Sequence, residues 1–406
     1  MWPLMPSLSR MSSNAREMWD VPRDLLLGRY PEFVLGGPLP KGQVPVFVFH
    51  SLHPDVFGAK VRYLADNGYV TLSADEYFQV LMGARTAPQN AVVLTFDDGR
   101  GSVRTVGLPL MRRYGMKGIV FIVPGRTASR AGPLAPTWDE VREGKATAEE
   151  VLQREDGENP FLSWEEIEDL SRSRLFDFHS HSLSHARVHT GPQLQGFMTP
   201  RLRKGYRPLD VPLIHDGGRD LAASEVPLGT PLFRSEPRLS ESLRFYEDPS
   251  VRQACVALVN EEGGQAFFRR KGWAGRLRRL VGGRLPGGRV ETGEERAGAI
   301  RRELAESKAL IEERTGKPAV HLCYPWHASG PTARRLAREV GYRTAFCGKV
   351  PGVPITLPGG DPLAIARVGE DYLELLPGRG RAHLSSILRH KLSRRLGGLW
   401  GVKELG

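Results

Sequence analysis

Residues 91–99 read AVVLTFDDG. Six apolar or β-branched residues in a row, with no polar residue at helical spacing, predict a strand buried on both faces. Two carboxylates, Asp97 and Asp98, stand at its carboxyl end, and Gly99 closes it. Two adjacent carboxylates are costly to hold together without a cation. In an extended chain neighbouring side chains diverge, so one can ligate a metal while the other faces a substrate. A solvated turn opening on Asp is the plain alternative.

Working outward, the same rhythm recurs. Val44 to Phe49 (VPVFVF) predicts an earlier strand, ending at His50. Residues 58–67 predict a helix closed by Gly68. A helix over 103–114 stops at Gly115, and Lys117 to Val123 (KGIVFIV) predicts a strand. Ser163 with Glu166 forms a capping-box pattern opening a helix over 164–173, followed by a strand from Leu175 to Phe178. The pattern fails between 186 and 295, a stretch rich in Pro, Gly and Arg that predicts a few helices, one near 240–260. It returns with a helix over 295–314, a strand from Val320 to Tyr324, a helix over 331–340 capped by Gly341, and a strand from Thr344 to Cys347. Alternating strands and helices predict an α/β fold with a parallel sheet or barrel. Sites in such folds lie at the carboxyl ends of strands. His50, Asp97, Asp98, His181 and His185 all follow predicted strands.

Composition narrows the class. The 406 residues can bury one large core or two modest ones. No apolar run approaches the length of a membrane span. Residues 1–40 are irregular, without the continuous apolar stretch of a secretory signal, so the expected location is cytoplasmic. Cys255, Cys323 and Cys347 are odd in number and form no CxxC pair, which argues against a disulfide framework or a cysteine zinc site.

The chain from 179 to 185 reads HSHSLSH. A spacing of four places His181 and His185 on one side of a helical turn, where two neutral imidazoles can share a divalent metal. A polar turn with incidental histidines is the bland alternative.

Three motifs in order now carry a resemblance. TFDDG (95–99), HSLSH (181–185) and CYPW (323–326) resemble those of the polysaccharide deacetylases, carbohydrate esterase family 4 or NodB-homology group. The resemblance covers residues 44–185 and about 295–370. It implies a distorted (β/α)7 barrel, here with a long insertion. The implied units are an N-terminal segment (1–40), a barrel (41–185 and 296–370), an insertion shaping the substrate groove (186–295) and a basic C-terminal segment (371–406). Asp98, His181 and His185 match a metal triad, for zinc or a similar divalent ion. Asp97 matches the base that activates water. Pro325 and Trp326 match the pair that walls the sugar pocket, with the Trp326 N–H helping to hold the oxyanion, and Tyr324 resembles a neighbouring contact.

The chain also departs from the family. Cys323 replaces the Arg that orients the base, and His327 stands where Gly often follows the aromatic residue. His383 and His390 sit in a basic, non-strand context, unlike the family's C-terminal acid histidine. His50, at the end of the first strand, is similar in place to the acid of the permuted, biofilm-type poly-N-acetylglucosamine deacetylases. The resemblance therefore implies an acid role for His50. His179 and His189 flank the pair as further contacts.

The implied reaction is removal of an acetyl group, N-acetyl before O-acetyl, from a sugar in a polysaccharide or glycolipid precursor. A non-catalytic carbohydrate-binding relative and a hydrolase of small non-sugar amides are the alternatives. Net charge is +11, and Arg269 to Arg289 holds eight basic residues and no acidic one. Leu384, Ile387, Leu388, Leu392 and Leu396 share a helical face opposite Arg and Lys. Docking of that helix on the barrel competes with peripheral contact at an anionic inner membrane surface. No recognition motif accompanies the charge, so specific nucleic-acid binding is not expected.

Overall fold

A computed structural model describes residues 28–399, except residues 131, 158, 283–286 and 351. Most of the expected irregular N-terminal segment, part of the basic 269–289 run, and the side chains of Leu392 and Leu396 lie outside the described residues.

The barrel begins with β1 (Val46–Phe49), α1 (Pro54–Asp66), β2 (Val70–Thr71), α2 (Ala74–Leu81) and β3 (Ala91–Phe96). It continues with α3 (Leu108–Tyr114), β4 (Gly118–Ile122), α4 (Trp164–Arg172) and β5 (Phe176–Ser180). Pro54 opens α1, where its missing N–H costs nothing. Ser163 and Glu166 cap α4 reciprocally, as their spacing predicts. The predicted helix over 103–114 begins instead as a π-helical turn, Val103–Gly107, before becoming α-helical.

The insertion follows: β6 (Arg187–Phe197), β7 (Ile214–Asp216), β8 (Arg219–Leu221), β9 (Pro231–Pro237), β10 (Phe245–Glu247), α5 (Pro249–Glu261), α6 (Trp273–Gly282) and β11 (Gly288–Val290). The barrel then resumes with α7 (Gly293–Thr315), β12 (His321–Cys323), α8 (Pro331–Val340), β13 (Thr344–Phe346) and β14 (Val368–Gly369). The chain is described to the end of α9 (Leu384–Leu399).

Neighbouring strands run β13-β12-β5-β4-β3-β1-β14, all parallel, with β2 paired beside β3. The two ends of this path meet. Ile365 bridges Phe346 of β13, and three residues later Val368 pairs with Phe47 of β1. The segment 365–369 therefore closes a ring of seven strand positions, the distorted (β/α)7 barrel expected.

Period-two alternation decides what faces inward. Val46, Val93, Ile119, Phe121, Cys323 and Phe346 form one buried cluster with α2 residues Tyr77, Val80 and Leu81. Phe47, Phe49, Leu94, Phe96, Val120, Ile122 and Phe178 form another with α1 and α3. The first set lines the barrel, and the second faces the helices. Asp75 at the start of α2 bonds His321 at the start of β12, so α2 covers the amino-terminal end. The carboxyl ends are left for the site.

The insertion carries the few helices expected, at 249–261 and 273–282, together with six strands that no alternation in the sequence signals. β6 pairs antiparallel with β9 through register shifts, β7 with β8, and β10 with β11. Bulges and short strands erase the alternation a sequence reading depends on. Two small cores hold the unit together, one around Phe233, Val259 and Phe267 and the other around Met198, Ile214 and Val226. Arg238 and Glu291 add a buried ion pair at 2.5 Å. On α9, Leu384 and Ile387 pack against the outer barrel cluster, so its first turns dock on the fold.

Candidate metal and catalytic site

β3 carries Thr95 on its inward face, since Val93 two residues earlier is inward, and Asp97, just past the strand's end, continues that face. Alternation alone would turn Asp98 away. Instead Asp98 adopts a left-handed conformation, φ 67°, that brings its carboxylate back to the site. Gly99 follows at φ 64°, and a Cβ there would lie 3.0 Å from Ile122, so only glycine fits.

Asp98 Oδ1 lies 3.4 Å from His181 Nε2 and 3.5 Å from His185 Nε2. Donors about 2.05 Å from one tetrahedral ion are about 3.3 Å apart, so both separations fit the edges of such a polyhedron. All three residues are buried. His181 Nδ1 donates to the Cys323 carbonyl at 2.9 Å, which directs the Nε2 lone pair to the site. Burial pushes His185 down to about 3, so its ring is neutral and ready to ligate. Burial also opposes charge on His181, but Cys323, Asp97 and Asp98 outweigh it and hold its pKa well above the usual range. Metal entry there displaces a proton.

The histidine pair is not helical, as its spacing of four implied. The loop turns through left-handed Ser182 (φ 59°) and His185 (φ 56°), with ring centroids 4.9 Å apart. Such a loop needs outside support. His185 N donates to Ser182 Oγ at 3.1 Å. From α7, Glu303 accepts from Ser184 N at 3.0 Å and Ser184 Oγ at 2.6 Å, and its carbonyl accepts from Leu183 N. Ser307, one turn on, bonds Ser180 at 2.7 Å. Replacing Glu303 with Ala is expected to weaken zinc affinity about ten- to hundredfold. Competition against a chromophoric chelator measures this, and equal affinity would show that the loop holds itself.

A second possible ligand group, Asp97, His181 and Cys323, shares the region. It is the poorer one, because Asp97 is already engaged. Arg367, buried on the segment that closes the barrel, donates Nη1 to Asp97 Oδ1 and Nη2 to Oδ2, both at 2.7 Å. Burial alone would raise the Asp97 carboxyl, but Arg367, then His181, hold it well below the usual carboxylate range. Arg367 is itself fixed by the Cys347 carbonyl at 2.7 Å and Thr95 Oγ1 at 3.0 Å. The guanidinium missing at Cys323 is thus supplied from another strand. Sequence reasoning missed it. Its one signal is a lone Arg within the otherwise apolar LAIARVG, 363–369.

Arg100 was also missed. It donates to Asp98 Oδ2 at 3.1 and 2.7 Å and to Ser51 at 2.7 Å, and it stacks 3.7 Å over Tyr206 from the insertion. Asp98 therefore gives one oxygen to Arg100 and turns the other to the histidines.

His50 stands at the end of β1 within the field of Asp98 and Asp97. Burial lowers its pKa, and the two carboxylates partly oppose that. Trp326, half-buried and left-handed at φ 57°, sets its ring 4.9 Å from His185 and under Arg187. Pro325 is buried beside it. Tyr324 is a correction. It is fully buried with Leu304, Leu322 and Leu336 under α7 and α8, on the face opposite Cys323. Alternation from inward Cys323 requires this, so Tyr324 is not a pocket contact.

His179 lies inside the barrel against His321, with ring centroids 4.5 Å apart. His189 faces Glu247 at 3.1 Å and accepts from Phe233 N at 3.2 Å, tying the insertion together. Neither joins the ligands. His383 and His390 are exposed on or beside α9.

Barrel, histidine–aspartate cluster and restrained carboxylate together make a candidate metal site at the carboxyl ends of a parallel α/β sheet. The family model for polysaccharide deacetylase matches residues 84–200. Over 89 residues it is 29% identical to a putative polysaccharide deacetylase, YxkH, of Bacillus subtilis, covering 20% of this chain and 32% of that one. Over 134 residues it is 27% identical to the poly-beta-1,6-N-acetyl-D-glucosamine N-deacetylase of Escherichia coli K12, covering 33% of this chain and 18% of that one. The chain spans a third or less of the length of these relatives. Among solved structures, the BpsB deacetylase domain of Bordetella bronchiseptica is similar, at 18% identity and TM-score 0.47, covering 82% of this chain and 98% of that one.

Proposed function

We propose that this protein is a metal-dependent deacetylase that removes acetyl groups, chiefly N-acetyl, from a sugar in a polysaccharide or glycolipid precursor. One observation carries the reading: Asp98, His181 and His185 converge within the spacing of a single ion, beside Asp97 held ionised by Arg367. Two imidazoles and one carboxylate suit zinc among the divalent ions. When bound, such an ion supplies Lewis-acid polarisation and lowers the pKa of water to roughly 7.

The chain's own residues divide the remaining work. Asp97, ionised and fixed in two directions, accepts the proton of the attacking water. His50, at the end of β1, donates a proton to the departing amine. Pro325 and the Trp326 ring wall the sugar, and the Trp326 N–H helps hold the oxyanion. The non-catalytic reading draws on the missing arginine at 323 and on the long insertion, and Arg367 answers the first of these.

Metal analysis of the purified protein, with acetate release measured across acetylated glycans before and after chelation, tests the proposal. Release abolished by chelation and restored by zinc is expected. No acetate from any N-acetyl or O-acetyl sugar would sink it. The exposed Arg269, Lys271, Arg278 and Arg279 of the insertion favour peripheral contact with an anionic membrane. Cosedimentation with phosphatidylserine vesicles, reversed by salt, is expected, and equal binding to phosphatidylcholine vesicles would rule it out.

A further inference from the structure

His327 occupies a position that its backbone does not favour. It follows left-handed Trp326 and is itself left-handed, φ 57°. Glycine adopts that conformation freely, while a residue with a Cβ meets its carbonyl there. The chain nonetheless places a large imidazole at 327 and makes room for it nearby. Gly348 lies directly against the ring, where a Cβ would come 2.7 Å from His327 Cγ. Two positions are thus shaped around one side chain.

Its chemistry is fixed by a neighbour. Arg367 Nη2 lies 3.3 Å from His327 Nδ1. A guanidinium only donates, so Nδ1 must accept and carries no proton. A proton on both nitrogens would also set imidazolium against guanidinium. The ring is therefore neutral, with its single N–H at Nε2. The same guanidinium holds Asp97, which puts His327 one side chain from the reacting centre. The charged and titratable groups acting on it are Arg367, Asp97, His50 and His181, all of the site. Yet His327 is exposed, whereas Asp97, Arg367 and His181 are buried. With the half-exposed His50, it is a member of this network that a bound molecule can reach.

We propose that His327 is a specificity-determining residue, a neutral imidazole locked by Arg367 and Gly348 whose Nε2–H donates to a hydroxyl oxygen of the acetylated sugar. This rests on the deacetylase reading above and adds a substrate requirement to it: an acceptor oxygen beside the acetylated position. His327 enters no proton transfer. It binds ground state and transition state alike, so its loss raises KM more than it lowers kcat.

The test compares His327→Gly and His327→Gln, zinc-loaded, on a β-1,6-linked N-acetylglucosamine oligomer. Glycine suits the left-handed backbone, so the variant folds and its Tm does not fall. Expected are a KM raised about tenfold, a kcat lowered less than threefold, and an unmoved acid limb of the pH–rate profile. Gln, whose amide N–H reaches near the Nε2 position, should recover most of the KM. An unchanged KM in His327→Gly would overturn the proposal, and so would no recovery by Gln. A kcat loss with a shifted acid limb and constant KM would instead assign His327 to buttressing Arg367. Absence of acetate release by the unsubstituted protein on every glycan would overturn the deacetylase reading itself, a result distinct from these.

Discussion

Asp97→Asn is expected to lower acetate release by about three orders of magnitude while metal stoichiometry stays that of the unsubstituted protein. The two parts of the result are separable because the adjacent aspartates do different work. Asp98 gives Oδ1 to the histidine pair, and Asp97 gives both oxygens to Arg367. An amide at 97 can keep one of those hydrogen bonds through its carbonyl, so the strand end survives. It cannot take a proton. Acetate assays and metal analysis on the same preparation decide the matter. Loss of metal along with activity would show that Asp97 is a ligand, and near-normal activity would show that the base lies elsewhere.

Much of this arrangement could be read from the chain, because its signals are local. AVVLTF is a buried strand on composition alone, and β3 has those bounds. The three proposed ligands lie in two short motifs at strand ends, so knowing the fold class nearly places them. Three things were not legible. Arg367 reaches Asp97 across 270 residues of chain, and no local pattern links them. Glu303 supports the histidine loop from a helix beyond the insertion, where one Glu among six looks like any solvated residue. The insertion's strands are short and bulged, and its buried charges Arg238 and Glu291 stand where apolar residues would have revealed a core. Tyr324 differs, since alternation from Cys323 was available to send it outward.

Arg367→Met should destabilise the metal-free protein by about 3–5 kcal/mol near neutral pH, the cost of leaving a buried carboxylate without its cation. Both side chains of the pair are almost wholly inaccessible, at 0% and 2% exposure, so water cannot make up the loss. The pH dependence gives the mechanism a second reading. In the unsubstituted protein Asp97 is held well below the usual carboxylate range. Its contribution is present above the unfolded carboxylate pKa of about 4 and fades as pH falls through the lower folded value. Without Arg367, burial becomes the larger influence and raises the Asp97 pKa. The variant then gains by holding a proton, fully below about pH 4, and loses that gain as pH rises through the raised value. The stability gap between the two proteins should therefore widen from acid to neutral pH, as urea denaturation at several pH values will show. The acid limb of acetate release should move upward in the same variant, because the base now protonates more readily. A gap independent of pH would mean that Arg367 stabilises through packing and its bonds to Thr95 and the Cys347 carbonyl, with Asp97 kept ionised by other neighbours.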